Sequence, residues 1–82
     1  MIIMAICEIE GDYDDSNQQY VLIFYLSNSY EAEKAKINLS PRLRVRIGFT
    51  INVLQDENAV IVKYANEEDK KKILHYVQMI LA

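Results

Sequence analysis

Several residue types that build common functional sites are scarce in this 82-residue chain. It has two glycines, one proline, one cysteine, one histidine and no tryptophan. With only Gly11 and Gly48, the chain has no glycine-rich loop that could wrap a phosphate group. A single cysteine cannot form an internal disulfide, and one cysteine with one distant histidine gives too few ligands for a zinc site. These shortages exclude the commonest nucleotide-binding, disulfide-bonded and zinc-bound classes of small protein.

The residues that could act as a nucleophile or a base stand in unsuitable surroundings. Cys7 lies in an apolar run and is followed by Glu8 and Glu10, whereas a reactive thiolate needs positive neighbours. His75 is expected on the polar side of a C-terminal helix, where it is solvated. Because nothing assembles a nucleophile, a base and an oxyanion site, we predict that the chain is not an enzyme and needs no cofactor or metal.

Targeting signals are also missing from the sequence pattern. The first residues lack the basic region and the cleavage pattern of a signal peptide. The apolar run at residues 20–26 is far shorter than the roughly 20 residues that span a bilayer. The expected location is the cytoplasm.

Apolar residues, by contrast, are plentiful. The hydrophobic fraction is 51%, and the chain has six tyrosines and two phenylalanines. Residues 1–82 are long enough for one domain only, and a chain of this size buries just about 60% of the surface that its unfolded form exposes. The surplus of apolar surface predicts an interface with another protein chain, most simply in a dimer.

The acidic residues are concentrated near the N-terminus, although the net charge is only -3. Asp12, Asp14 and Ser16 match the first three ligand positions of a calcium-binding loop. However, Asn17 stands where that loop needs glycine, and Ile23 stands where it needs a bidentate glutamate. We therefore interpret the acidic segment as a solvated turn that caps the next element.

Residues 17–28 carry conflicting signals. Ser16 followed by Gln19 fits a capping box and favours a helix that begins at Asn17. The segment 20–26 is rich in β-branched and aromatic residues and could equally be a strand. The helix is slightly favoured, and both alternatives stay open.

The other elements have clearer patterns. Residues 2–10 are predicted as a strand, residues 30–38 as a helix capped by Ser29 and ended by Ser40 and Pro41, and residues 42–54 as a long alternating strand. A turn at 55–58 leads to a second hairpin strand at 59–65. Asn66 is predicted to cap a final helix, whose apolar stripe comprises Ile73, Leu74, Tyr76, Val77, Ile80 and Leu81. The predicted fold is α+β, a three-stranded antiparallel sheet with helices packed on one face in the order β-α-β-β-α.

Arg42, Arg44 and Arg46 form the most distinctive pattern in the chain. On a strand, alternation would place all three guanidinium groups on one sheet face at intervals of roughly 6.5 to 7 Å. Such a row could follow the phosphates of an RNA backbone or meet the carboxylates of a partner. The alternative is a charged, solvated face that keeps the sheet soluble.

This layout resembles the small dimerising subunit of the archaeal and eukaryotic KEOPS complex. The likeness lies in the opening strand "AICEIE", the alternating strand from Arg42, the turn at 55–58, the strand "AVIVKYA" and the helix "EEDKKKILHYVQMILA". It covers roughly two thirds of the chain. It is a likeness of layout and hydrophobic pattern and not of an invariant motif.

The resemblance implies a fold and a function. That family has a three-stranded antiparallel sheet with two helices on one side and dimerises by extending the sheet. It takes part, without catalysing the reaction itself, in making threonylcarbamoyladenosine on tRNA, and its helices dock the threonylcarbamoyl-transferring subunit. Carried over, the three arginines would be candidate tRNA contacts, and the residues that would serve docking or the core are Ile73, Val77, Ile80 and Leu81.

Two departures from the family point to a divergent paralogue that pairs with the ordinary member. The stretch 16–40 is longer than the family needs, and the last helix opens with lysines where the family tends to show an arginine followed by small residues. The alternative is a small stand-alone homodimeric interaction or regulatory protein, either viral or linked to nucleic acid.

Overall fold

The computed structural model of the chain describes residues 4–10 and 19–81. The predicted acidic turn, with Asp12, Asp14 and Ser16, lies outside the described residues. The elements, in chain order, are β1 (Met4–Glu10), β2 (Gln19–Tyr25), α1 (Ser29–Arg46), β3 (Asn52–Asp56), β4 (Ala59–Tyr64) and α2 (Asp69–Leu81).

The four strands form one antiparallel sheet in the order β1-β2-β4-β3. Across the sheet, Leu22 of β2 lies between Cys7 of β1 and Val62 of β4, and Val62 pairs in turn with Val53 of β3. The strands β2 and β4 are therefore central, and β1 and β3 form the edges of the described sheet.

The predicted α+β class is confirmed, and the predicted β-α-β-β-α order is found in residues 19–81. There β2, β3 and β4 form a three-stranded antiparallel unit with α1 and α2. The strand predicted at residues 2–10 is present as β1, but it is not the first strand of this three-stranded unit. It adds a fourth strand beside β2, so the sheet as a whole has one strand more than predicted.

The preference for a helix after Asn17 was wrong, because residues 19–25 form β2. Leu22 and Phe24 on this strand are almost completely buried. The strand also pairs with a neighbour on each side, β1 and β4. Two ladders of backbone hydrogen bonds and a β-branched, aromatic composition outweigh a local capping signal.

The helix α1 extends well beyond its predicted end and includes residues that were predicted as strand. Its buried residues follow a spacing of three, four and four positions, which is the period of a helix. They are Ala32, Ala35, Leu39 and Leu43. Burial of this face requires helical geometry as far as Leu43, and the hydrogen bond from the Ile47 N–H to the Leu43 carbonyl oxygen at 2.9 Å closes the last turn. The predicted strand at 42–54 was therefore wrong over 42–46, and β3 begins only at Asn52.

Pro41 lies inside α1 instead of ending it. A proline has no N–H to donate to the carbonyl four residues earlier, here that of Ile37. Both Pro41 and Ile37 are exposed, so water can satisfy this carbonyl. The N-cap of α1 is Asn28, one residue before the predicted cap Ser29, and Asn28 Oδ1 accepts a hydrogen bond from the Glu31 backbone N–H at 2.8 Å.

The predicted hairpin of β3 and β4 is confirmed, with a shorter turn than expected. The turn comprises Glu57 and Asn58, and Glu57 adopts a left-handed φ of 54°. Gln55 Nε2 donates to the carbonyl oxygens of Ser29 at 3.0 Å and of Glu57 at 2.9 Å. These bonds hold the turn against the start of α1.

The helices α1 and α2 pack against one side of the sheet and against each other. Their buried faces meet Leu22 and Phe24 of β2 and the inner face of β4 in one apolar core. The ring of Tyr64 in that core stacks on Tyr20, with ring centroids 5.5 Å apart. Among the described residues, neither helix combines the length and the apolar composition that crossing a membrane requires.

A pair of substitutions in α1 distinguishes the helix from the predicted strand. Leu43 has 0% exposure and Val45 has 75%, whereas a strand would place both side chains on the same face. Leu43→Ala should lower the free energy of unfolding by about 2–5 kcal/mol, because it leaves a cavity in the core. Val45→Ala should change it by less than about 0.5 kcal/mol. Urea denaturation followed by circular dichroism measures both, and equal losses would contradict the helix.

Candidate functional site

An open groove lies between the last turns of α1 and the second half of α2. Its volume is about 400 Å³, and it is lined by Pro41, Arg42, Val45, Arg46, Tyr76, Met79 and Ile80. We call it the α1–α2 groove. Most of its lining is apolar, and its charged members are two arginines.

The periodicity of the two helices places these side chains together. On α1 the lining residues are one, four and five positions after Pro41, so they share one side of the helix. On α2, Met79 and Ile80 are three and four positions after Tyr76, so they also share one side of their helix. Met79 and Val45 are both largely exposed, although they are apolar. The groove is therefore a surface that the fold of a single chain leaves partly uncovered.

The prediction that the three arginines form a row on one face of the sheet was wrong. Arg42, Arg44 and Arg46 all belong to α1. Since a residue advances the helix by about 100°, Arg42 and Arg46 share one side and Arg44 points away from them. Arg42 and Arg46 line the groove, whereas Arg44 Nε donates to the Ile51 carbonyl oxygen at 3.2 Å.

The three arginines therefore have two different roles in the described structure. Arg44 holds the connection between α1 and β3 against the helix through its hydrogen bond to Ile51. Arg42 and Arg46 are exposed, and no carboxylate of residues 20–81 forms an ion pair with either of them. Their guanidinium groups remain available to carboxylates or phosphates of another molecule.

The predicted docking face of α2 divides between the core and the groove. Ile73 and Val77 are fully buried, so they belong to the core. Leu81 packs partly buried against that core. Only Ile80 of the four also lines the groove. The sequence pattern missed Met79, because it lies beside the apolar stripe of α2 and not within it.

Val45 was missed for a different reason, since it was assigned to the buried face of a strand. A usable signal was present in the sequence. Leu39 and Leu43 are four residues apart, and so are Pro41 and Val45, which is the spacing of two separate faces of one helix. That reading would have placed Val45 on the surface.

The groove is lined by apolar side chains and two arginines. Over residues 20–81, no group of three or more His, Cys, Asp or Glu side chains is arranged to hold a metal ion. Apolar side chains flanked by arginines can bind an apolar surface and pair with its negative charges. The groove has the composition of a protein interface.

Comparisons with family profiles, with curated protein sequences and with solved structures find no match to this chain. The resemblance to the KEOPS subunit stays a prediction.

The separate role of Arg44 can be tested by removing the charges one at a time. Arg44→Met should lower the free energy of unfolding by about 1 kcal/mol, because the Ile51 carbonyl loses its donor. Arg42→Met and Arg46→Met should each change it by less than about 0.5 kcal/mol. Urea titrations of the three variants provide the comparison. The same loss in all three would show that Arg44 has no special structural contact.

Proposed function

We propose that this protein is a non-catalytic subunit that organises partner proteins in a tRNA-modifying complex of the KEOPS type, which makes threonylcarbamoyladenosine. In this proposal it is a divergent paralogue of the ordinary dimerising subunit and works in the cytoplasm. Its docking surface is the α1–α2 groove. The observation that carries the proposal is this open apolar groove on a β-α-β-β-α unit.

The layout of residues 19–81 supports the family assignment. The unit has three antiparallel strands and two helices on one side, as the family has. The family's first strand then corresponds to β2 and not to β1. The stretch 16–40, which looked too long for the family, contains all of β2 and the first two thirds of α1, which accounts for its length.

The additional strand β1 bears on how such a subunit would pair. It covers the β2 edge of the three-stranded unit and leaves β3 as the other edge of the described sheet. Pairing with a homologous subunit by sheet extension would therefore use β3 or the outer edge of β1. An extra strand of this kind suits a paralogue that pairs with the ordinary member.

The groove supports the docking of a partner protein. The side chains of Tyr76, Met79 and Val45 offer apolar contact, and Arg42 and Arg46 add two free positive charges. An amphipathic helix with an apolar stripe and flanking carboxylates fits such a surface. Under the proposal, the threonylcarbamoyl-transferring subunit supplies this segment.

The proposal assigns Arg42 and Arg46 a possible second contact, with tRNA. Two neighbouring arginines can bind adjacent phosphates, but the net charge of -3 opposes strong binding of RNA by the chain alone. The contact would therefore contribute within the assembled complex.

A stand-alone homodimeric interaction protein is the second candidate. The outer face of α1 favours it, since Tyr30 and Ile37 are exposed there and lie outside the α1–α2 groove. In that case the chain would purify as a homodimer without the larger assembly.

Co-purification tests the docking groove. The tagged chain, expressed with the KEOPS subunits of its own organism, should recover the threonylcarbamoyl-transferring subunit. Met79→Glu should reduce this recovery at least tenfold, because it places a buried charge in the apolar contact. Phe49→Glu is the matched control, since Phe49 is also apolar and largely exposed but lies outside the groove. Failure to recover the subunit, or recovery that Met79→Glu leaves unchanged, would contradict the proposal.

Binding of labelled tRNA to the purified assembly tests the arginine pair. Fluorescence anisotropy should show at least a tenfold loss of affinity in Arg42→Glu plus Arg46→Glu, because two phosphate contacts become repulsive. Lys71→Glu plus Lys72→Glu changes the net charge by the same amount on the exposed first turn of α2, and it should weaken binding by less than threefold. Equal effects of the two double variants would rule out a specific contact by the arginines.

A further inference from the structure

The helix α1 is apolar on two opposite faces. One face carries the core residues, Leu39 and Leu43 among them. The other face carries an outer stripe, which comprises Tyr30, Ile37, Pro41 and Val45. These four positions are separated by seven, four and four residues, which places them within an arc of about 80° on a helix.

The outer stripe is exposed along its whole length. Tyr30 and Ile37 are each 64% exposed, and Pro41 and Val45 are exposed as well. Lys34 lies in the same arc, and its Nζ is 5.3 Å from the centroid of the Tyr30 ring. A row of large apolar side chains on the solvent side adds nothing to the core, so its natural use is contact with another chain.

Charged residues flank this stripe in a pattern that is complementary to itself. On one flank, Glu33 lies toward the N-terminal end and Arg44 toward the C-terminal end of α1. On the other flank, Glu31 and Arg42 follow the same order. The helix dipole favours acidic residues only in the first turn and basic residues only in the last turn. It does not explain why these residues lie on the two flanks of the stripe.

We propose that the outer stripe of α1 binds the outer stripe of a second copy of this chain, with the two helices antiparallel about a two-fold axis. With the axis passing between positions 37 and 38, Tyr30 of one copy lies opposite Val45 of the other. Along the flanks, Glu31 then faces Arg42 of the second copy, and Glu33 faces Arg44 of the second copy. A two-fold axis repeats each of these pairs, so four ion pairs flank a seam whose side chains are apolar except for Lys34.

The charge pattern selects both the orientation and the occupant. In a parallel pair, Glu31 and Glu33 would lie near their own copies, and the arginines would do the same, so like charges would repel. An antiparallel second copy supplies the opposite charge at every flanking position. No unrelated partner has to be assumed to explain the pattern.

The size of the stripe indicates a reversible dimer. From Tyr30 to Val45 the stripe is about 22 Å long at 1.5 Å per residue. The area that one pair of helices of this length buries lies near the lower limit of about 1,000 Å² for a specific interface. Association should therefore depend on protein concentration, and its ion pairs should make it weaker at high salt.

This inference goes beyond the proposed function and can fail separately. Pro41 and Val45 belong to both the outer stripe and the α1–α2 groove, so self-association and partner docking would exclude each other. Ile37 belongs only to the stripe, and Met79 belongs only to the groove. Substitutions at these two positions distinguish the two surfaces.

Sedimentation equilibrium of the full chain over a range of concentrations tests the contact between the outer stripes of two copies. The wild-type chain should dimerise, and Ile37→Glu should raise the dissociation constant at least tenfold. Met79→Glu should leave it within about twofold, and circular dichroism confirms that both variants fold. A wild-type chain that stays monomeric, or a dimer that Ile37→Glu does not weaken, would overturn the proposal.

A charge exchange tests the ion pairs and the antiparallel orientation. Glu31→Arg plus Glu33→Arg, and Arg42→Glu plus Arg44→Glu, should each weaken the homodimer at least tenfold. An equimolar mixture of the two variants should restore dimers, because each then supplies the charge that the other lacks.

A simpler pair of variants covers the case in which the loss of Arg44 disturbs the fold. Glu31→Arg and Arg42→Glu should each weaken the homodimer, and they should restore dimers when mixed. If folded variants of either pair do not complement each other, the antiparallel seam is wrong.

Discussion

Leu39 and Leu43 lie on the inner face of α1 and are fully buried. Their burial stabilises the helical conformation past Pro41, and α1 ends at Arg46. The remaining surface features depend on that constraint. Because the helix continues, Val45 turns away from the core and Arg44 reaches the Ile51 carbonyl. The same continuation brings the last turns of α1 alongside α2 and so creates the α1–α2 groove.

A domain of this size has more apolar side chains than its core can cover. The surplus is not scattered evenly over the surface. Part of it lines the α1–α2 groove, and part forms the outer stripe of α1. Both surfaces carry arginines at their margins, which suits contacts that combine apolar burial with charge pairing. The two surfaces share Pro41 and Val45.

Much of the fold follows from local sequence pattern, namely β1, β4, most of β3 and the core face of α2. The errors have a common physical cause. Residues 42–46 satisfy the period of a strand and that of a helix equally well, and only the packing of Leu39 and Leu43 decides between them. In the same way, residues 20–25 are a strand because β1 and β4 pair with them, and a single segment cannot reveal its neighbours.

The candidate site was only partly predictable from the sequence. The three arginines were identified there, but the surface on which each one lies could be known only once the helix was known. The groove depends on how two helices meet, which no local pattern contains.

The conformation of residues 42–46 in solution is the most direct test of this account. NMR secondary chemical shifts of the Cα carbons report helix or strand at each residue, without any substitution. The account predicts shifts to higher frequency, typical of a helix, from Leu39 through Val45. Shifts in the opposite direction at Arg42, Leu43 and Arg44 would show a strand, and they would remove the basis for both binding surfaces.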